Sequence, residues 1–97
     1  MATVIDISTL ITNNPGIHRG SPIIAGTGVT VRRIAIWYQQ GYRAEEISRE
    51  IETITLGQVY AALAYYYVNC EEIDAEIVAQ QAESAQIEAL QRTHANG

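Results

Sequence analysis

Closely spaced helix start and stop signals divide the middle of this 97-residue chain, and they restrict its fold more than any other feature. Thr30 can cap a helix whose apolar residues Ile34, Trp37 and Tyr38 follow helical spacing. Gly41 is expected to end that helix after about ten residues. Such spacing favours short packed helices over an extended sheet.

Two further helices are predicted after this one. Residues 43–51 form a short helix, with Ala44, Ile47 and Ile51 on its buried side. Thr55-Leu-Gly-Gln58 fits a capping box at the start of a third helix. Three helices joined by tight turns predict a trihelical helix-turn-helix core over residues 31–70. The face predicted to be buried on the third helix consists of Leu56, Val59, Tyr60, Leu63, Tyr66 and Tyr67.

The residues before the core suggest a small β structure. Residues 4–12 are apolar and β-branched, typical of a strand or extended arm. A turn signal, Asn-Asn-Pro-Gly, follows at residues 13–16, and residues 23–25 are a second strand candidate. We therefore expect a short N-terminal β-hairpin or arm over residues 1–30.

A fourth helix is predicted from about Cys70 to Gln91, with Asn69 as its N-cap and Glu72 at the third helical position. Its apolar stripe is thin, so this helix has little to bury within its own domain and needs a partner. The stripe consists of Ile73, Ile77, Ile87 and Leu90. The chain is thus expected to be one mainly α domain, 1–97, with an acidic C-terminal helix or tail over 71–97.

The net charge of −5 belongs to the tail. Residues 1–70 hold five acidic residues and five arginines, whereas residues 71–97 hold six acidic residues against Arg92. The chain contains no lysine, which weakens a general affinity for nucleic acid. A neutral core and an acidic extension suggest different partners for each part.

Several function classes are not expected. No apolar run approaches the roughly 18 residues of a membrane span, and no basic leader is visible, so a cytoplasmic location is expected. Cys70 is the single cysteine, and no Cys or His pair has metal-ligand spacing, so neither a metal nor a cofactor is expected. The acids show no paired catalytic pattern, so an enzyme is not expected. The sequence Gly26-Thr-Gly28 lacks the remaining residues of a phosphate-binding loop, which favours a structural turn.

Two candidate contact sets emerge. For DNA, the first two helices supply arginines while the start of the third helix could reach base edges, although that helix has no basic residue and binding would require a dimer. For a partner protein, one tyrosine of the Tyr65–Tyr67 run must leave the core stripe, and the tail isoleucines and leucine need cover. The DNA candidates are Arg32, Arg33, Arg43, Arg49, Thr55 and Gln58, and the partner candidates are Tyr65, Ile73, Ile77, Ile87 and Leu90.

Three ordered runs, NPGIHRGSPIIAGTGVTVRRI, YQQGYRAEEISREI and TLGQVYAALAYYYVNCEEID, carry a family resemblance. Over residues 13–75 the chain resembles the DUF433 family, whose members look like VapB-type antitoxins with a homeodomain-like helix-turn-helix. The resemblance implies pairing with a PIN-like ribonuclease toxin and repression of the pair's own promoter. Ala25 and Gly28 depart from the family pattern, which commonly has arginines there. The matching residues are Gly20, Pro22, Ile24, Gly26, Thr27, Gly41, Glu46, Ile47, Leu56, Val59, Ala62, Leu63 and Tyr65.

Two hypotheses of different classes follow. In the first, the protein is an antitoxin-like homodimer whose tail covers a PIN-like toxin and whose core binds operator DNA. In the second, it is a protein-interaction or oligomerisation module without a nucleic-acid role, as the arginine-free third helix favours.

Overall fold

The computed structural model describes residues 4–96, and the side-chain surroundings of residues 4–90. Within this part the fold is mainly helical, as predicted, with four α-helices and one two-stranded antiparallel sheet. The helices are α1 (Val31–Gln39), α2 (Ala44–Glu50), α3 (Leu56–Val68) and α4 (Cys70–Asn96). The strands are β1 (Ile11–Thr12) and β2 (Ile23–Ile24), and two short 3-10 turns lie at Ile7–Thr9 and His18–Gly20.

The N-terminal strand is much shorter than the sequence predicts. The Asp6 carboxylate accepts hydrogen bonds from the backbone nitrogen of Ser8 at 3.0 Å and from its hydroxyl at 2.8 Å. This cap turns residues 7–9 into a 3-10 turn, because a short polar side chain offers the backbone an alternative to the sheet. Of residues 4–12, only those of β1 pair in the sheet, with Ile11 opposite Ile24 of β2. The expected hairpin is therefore present in a reduced form.

Helix α1 begins and ends where its sequence signals predict. The Thr30 hydroxyl accepts from the backbone nitrogen of Arg33 at 3.0 Å, and Gly41 follows the helix with a φ of +99°. The buried stripe lies about one turn earlier than predicted, because it consists of Val31, Ile34 and Ala35. As a result Trp37 is only partly buried and Tyr38 is exposed.

Helices α2 and α3 complete the core. The three residues predicted to be buried at α2 are buried, Ala44 and Ile47 within the helix and Ile51 directly after it. On α3 the prediction is right for Val59, Leu63 and Tyr66 and wrong for the three large residues that remain exposed. Ala61 and Ala62 take the buried positions instead, since small side chains let α3 lie close to its neighbours. The exposed residues of that predicted face are Leu56, Tyr60 and Tyr67.

Replacing Thr55 by alanine should lower the free energy of unfolding by about 0.5–2 kcal/mol. The Thr55 hydroxyl accepts from the backbone nitrogen of Gln58 at 3.2 Å, and the Gln58 side chain accepts from the backbone nitrogen of Thr55 at 2.7 Å. Urea denaturation measures the change. Thr53→Ala is the matched control, because Thr53 is also exposed and lies outside the helix. Equal effects of the two substitutions would contradict the capping role.

Helix α4 differs most from its prediction. Ile73 is 0% exposed and Ile77 is 6% exposed, so the first turns of α4 belong to the core, where α4 packs against α1 and α3. The expectation that this helix buries little within its own domain is therefore wrong for residues 70–77. The predicted cap also differs, because the Asn69 side-chain nitrogen donates to the Tyr65 carbonyl oxygen at 3.1 Å. Only the Asn69 carbonyl takes part in α4, accepting from the Ile73 backbone nitrogen.

The remainder of α4 extends beyond the folded body. Every residue from Val78 to Leu90 is exposed. A helix of 27 residues is about 40 Å long, which explains why the molecule measures 66 Å along one axis but only 28 × 23 Å across. We call residues 78–90 the α4 extension.

Candidate functional site

A three-residue hydrogen-bond network fixes the direction in which α4 leaves the core. The Tyr66 hydroxyl donates to Asp74 Oδ1 at 2.8 Å and accepts from Gln39 Nε2 at 2.8 Å. Gln39 Nε2 also lies 3.3 Å from Asp74 Oδ1. The network joins α1, α3 and α4 at one point. Its members lie up to 35 residues apart, so no local sequence signal predicts it.

The same network affects the tyrosine's proton. The hydrogen bond to Asp74 raises the pKa of Tyr66 above its usual value, and burial raises it further. Tyr66 is therefore held neutral over a wider pH range than a free tyrosine, and its hydroxyl remains a donor to the Asp74 carboxylate.

The acidic tail is not uniform in the structure. Four of its six acidic residues lie on the first turns of α4, where the helix packs on the core, and one of them, Glu76, accepts a hydrogen bond from the Ser21 hydroxyl at 3.2 Å. The α4 extension itself carries only Glu83 and Glu88. The predicted acidic tail is thus a helix with a charged base and a sparsely charged, alanine- and glutamine-rich end.

The predicted partner residues separate into two groups. Ile73 and Ile77 lie in the core, and Tyr65 is partly buried, where burial and then Glu72 and Glu76 raise its pKa. Because Ile73 and Ile77 pack within the chain, they are not surface contacts, whereas Tyr65 keeps part of its side chain exposed. Ile87 and Leu90, which are 50% and 63% exposed, remain open to a partner.

The predicted DNA residues lie in separate surroundings. The Arg33 guanidinium lies 5.9 Å from the centre of the Trp37 ring, close enough for a cation–π contact. Arg43 and Arg49 share a shallow cavity with the carboxylates of Glu45 and Glu46. Thr55 and Gln58, as described above, bond to each other's backbone.

Arg32 lies in a polar cleft of about 370 Å³ between α4 and the turn at residues 18–20. In that turn, His18 and Arg19 adopt left-handed φ values of 49° and 56°, which are uncommon outside glycine. The His18 ring nitrogen Nε2 lies 2.9 Å from the Gly28 carbonyl oxygen and holds the turn in place. The cleft is lined by His18, Arg19, Ser21, Arg32, Glu76, Ala79, Gln80 and Glu83. Since it holds both charge signs, it is no simple anion site.

The start of α3 has an acidic neighbour. The Tyr60 hydroxyl donates to Glu45 Oε1 at 3.1 Å. The backbone nitrogen of Glu45 and then this tyrosine lower the pKa of the Glu45 carboxyl, so it stays ionised near neutral pH. A fixed negative charge beside the third helix opposes the approach of a phosphate backbone at that point.

An apolar groove runs along the outer face of α3, between this helix and the N-terminal segment. Two adjoining cavities share Ile7, Ala61 and Ala64 and together have fourteen lining residues, none of them charged. We call this surface the α3 groove. Its lining consists of Ile5, Ile7, Ser8, Leu10, Ile11, Thr55, Gly57, Gln58, Tyr60, Ala61, Ala64, Tyr65, Val68 and Asn69.

The described part of the chain shows neither a candidate metal site nor a helix that could span a membrane. Among residues 4–90, no group of three or more His, Cys, Asp or Glu side chains is placed to hold a metal ion. In the same part of the chain, the helices lack the combination of length and apolar character that crossing a bilayer requires.

These features define a mainly helical protein with an exposed C-terminal helix end and an uncharged groove along α3. Residues 11–66 match the model of the family described as protein of unknown function (DUF433), and the chain belongs to this family. A crystal structure of a DUF433 member from Anabaena variabilis ATCC 29413 is similar, with a TM-score of 0.68 and 30% sequence identity. That match covers 74% of this chain and 71% of the other. No significant match was found among curated proteins.

Proposed function

We propose that this protein is an antitoxin-like, non-enzymatic binding protein of the cytoplasm that holds a partner protein through the α4 extension. The observation that carries the proposal is the change in surroundings along a single helix. Ile73 and Ile77 fix its base in the core, whereas every residue from 78 to 90 is exposed. An exposed helical segment gains little stability from packing, so a partner that covers it would stabilise it further.

The chemistry of the extension indicates how a partner would bind it. Ile87 and Leu90 are three residues apart and therefore lie on the same side of the helix. Such a pair is suited to a hydrophobic groove that receives one helix face. Glu83 and Glu88 favour basic residues around the groove. A PIN-like ribonuclease, which needs a basic surface to bind RNA, is the partner we propose from the family resemblance.

The test uses the protein encoded by the neighbouring reading frame. If that frame encodes a PIN-like ribonuclease, the two proteins are co-expressed, co-purified and assayed for RNA cleavage. We expect a stable complex in which cleavage is inhibited. A neighbouring frame of another kind would contradict the antitoxin proposal, and so would a PIN-like ribonuclease that this protein neither binds nor inhibits.

A truncation locates the contact. Removing residues 82–97 retains Ile73, Ile77 and the Asp74 network, so the core should fold, whereas removal from residue 71 would delete core residues. The truncated chain should bind the partner at least about 100-fold more weakly, since the proposed anchor residues are absent.

A full-length pair of variants controls for the truncation. Ile87→Ser with Leu90→Ser should weaken binding at least about tenfold, whereas Ala82→Ser with Ala85→Ser should change it little. All four positions are exposed, so unfolding should be nearly unaffected in both variants. Unchanged partner affinity in the truncated chain would overturn the proposed role of the extension.

Operator binding by a homeodomain-like core is the second part of the proposal. It is supported by the order of α1, α2 and α3 and by the arginines on or beside the first two helices. We expect an electrophoretic shift of the upstream DNA at low salt. Replacing Arg43 and Arg49 by glutamine should make the DNA-binding constant fall less steeply with salt concentration. The change in slope should correspond to about two phosphate contacts. Absence of a shift by the protein or its complex would favour a module that binds proteins alone.

A further inference from the structure

The α3 groove has a sequence pattern that repeats when the helix is read in the opposite direction. The pattern is centred between residues 62 and 63. Residues at equal distances on the two sides of this centre correspond to each other: Ala61 to Ala64, Tyr60 to Tyr65, and Gly57 to Val68. If a second α3 lies antiparallel across the first, each residue meets its counterpart.

The matched residues have complementary sizes. Val68 is 82% exposed and large, and its counterpart Gly57 has no side chain. Ala64 is exposed and Ala61 is 7% exposed, and both are small enough for two helix backbones to approach closely near the centre. The tyrosines at positions 60 and 65 would contact each other across the crossing, where aromatic pairs are favourable. A two-fold contact places the same patch on both partners and requires this kind of self-complementarity.

The absence of charge in the α3 groove also favours a second copy of this chain as its partner. The chain carries a net charge of −5, so two copies repel each other in general. None of the fourteen residues that line the α3 groove is charged, so a second copy could meet this surface without burying a like-charge pair. Nucleic acid would find no cation in it. We propose that the α3 groove is the contact surface of a homodimer in which two α3 helices cross antiparallel near Ala61 and Ala64.

The number of residues that line the α3 groove limits the expected affinity of the dimer. A standard stable interface has about 20–30 residues on each side, which exceeds the groove lining. We therefore expect a reversible dimer with a dissociation constant of about 1–100 μM. The dimer would cover Thr55 and Gln58, so this dimer and operator binding through the start of α3 would exclude each other. It does not involve the α4 extension, so it is independent of the partner proposed above.

Sedimentation equilibrium of the full chain tests the dimer between about 1 and 500 μM, with reductant present to keep Cys70 as a thiol. Ala64→Glu should weaken dimerisation at least about tenfold, because it places a carboxylate of each copy in a contact without cations. Ala85→Glu is the matched control, as it makes the same exposed change outside the groove and should leave the equilibrium unchanged. A wild-type chain that stays monomeric, or equal effects of the two variants, would overturn the proposal.

A second variant separates dimerisation from folding. A Cβ atom added at Gly57 would lie no closer than 3.9 Å to another residue, the Thr55 hydroxyl, and Gly57 does not need a positive φ. Gly57→Ala should therefore leave the monomer at least as stable, since alanine favours helix. It should still weaken the dimer several-fold, because the added methyl group occupies the space left for Val68 of the second copy. A stable Gly57→Ala chain with undiminished dimerisation would contradict the proposed crossing.

Discussion

Replacing Ile73 by alanine should lower the free energy of unfolding by about 2–5 kcal/mol. Ile73 is 0% exposed and belongs to the same core cluster as Ile34 and Ile47, so the substitution leaves a cavity that the surrounding helices fill only in part. Urea denaturation followed by circular dichroism measures the loss, with an unchanged slope indicating that the folded state is retained. The result establishes whether the base of α4 is part of the folded body.

Ile87→Ala is the control, because it makes the same chemical change on the same helix at a residue that is 50% exposed. Its effect on unfolding should be no more than about 0.5 kcal/mol. Similar effects at the two positions would mean that α4 does not change its surroundings after Ile77. That outcome would also remove the observation on which the proposed function rests.

Replacing Tyr66 by phenylalanine should lower the free energy of unfolding by about 1–3 kcal/mol. The ring is retained, so packing changes little, but the Asp74 carboxylate and the Gln39 amide lose the hydroxyl that they share. Tyr67→Phe is the control, since this neighbouring tyrosine is 57% exposed and should contribute about 0.5 kcal/mol or less. Unfolding of both variants at neutral pH measures the difference.

The pH dependence of the free energy of unfolding provides a second check on the hydrogen bond between Tyr66 and Asp74. The pKa of Tyr66 is raised above 10.0 in the folded chain, so its stabilising contribution is present below pH 10 and is lost as pH rises through the folded value. The difference in stability between wild type and Tyr66→Phe should therefore shrink above pH 10. A difference that stays constant through the alkaline range would show that the hydroxyl contributes nothing through Asp74.

Local signals in the sequence predict the helix ends well. Thr30, Gly41 and the Thr55–Gln58 pair act within four residues of their own position, through the backbone groups that every helix leaves unpaired. Whether these residues begin or end a helix does not depend on the rest of the fold. The order of the helices and the mainly helical fold class could therefore be predicted without a structure.

Properties that depend on packing could not be predicted in the same way. The buried side of α3 is decided by where α1 and α2 lie, so Tyr60 and Tyr67 fit the helical spacing but remain exposed. The thin apolar stripe on α4 predicts little packing within the domain. Ile73 and Ile77 are nevertheless enough to hold the start of α4 in the core, because α1 and α3 already form a surface for them. The α3 groove joins residues about 50 positions apart, such as Ile7 and Ala61, and only the fold places them together.

The change in surroundings along α4 also concerns how long the molecule survives in a cell. Residues 78–90 have no buried side chain, so this part of the helix can open without unfolding the core. Proteases cleave chain that is transiently unfolded, so a segment that opens locally is exposed to cleavage. A bound partner would close this segment to cleavage. The half-life of the protein would then report how much of its partner is present.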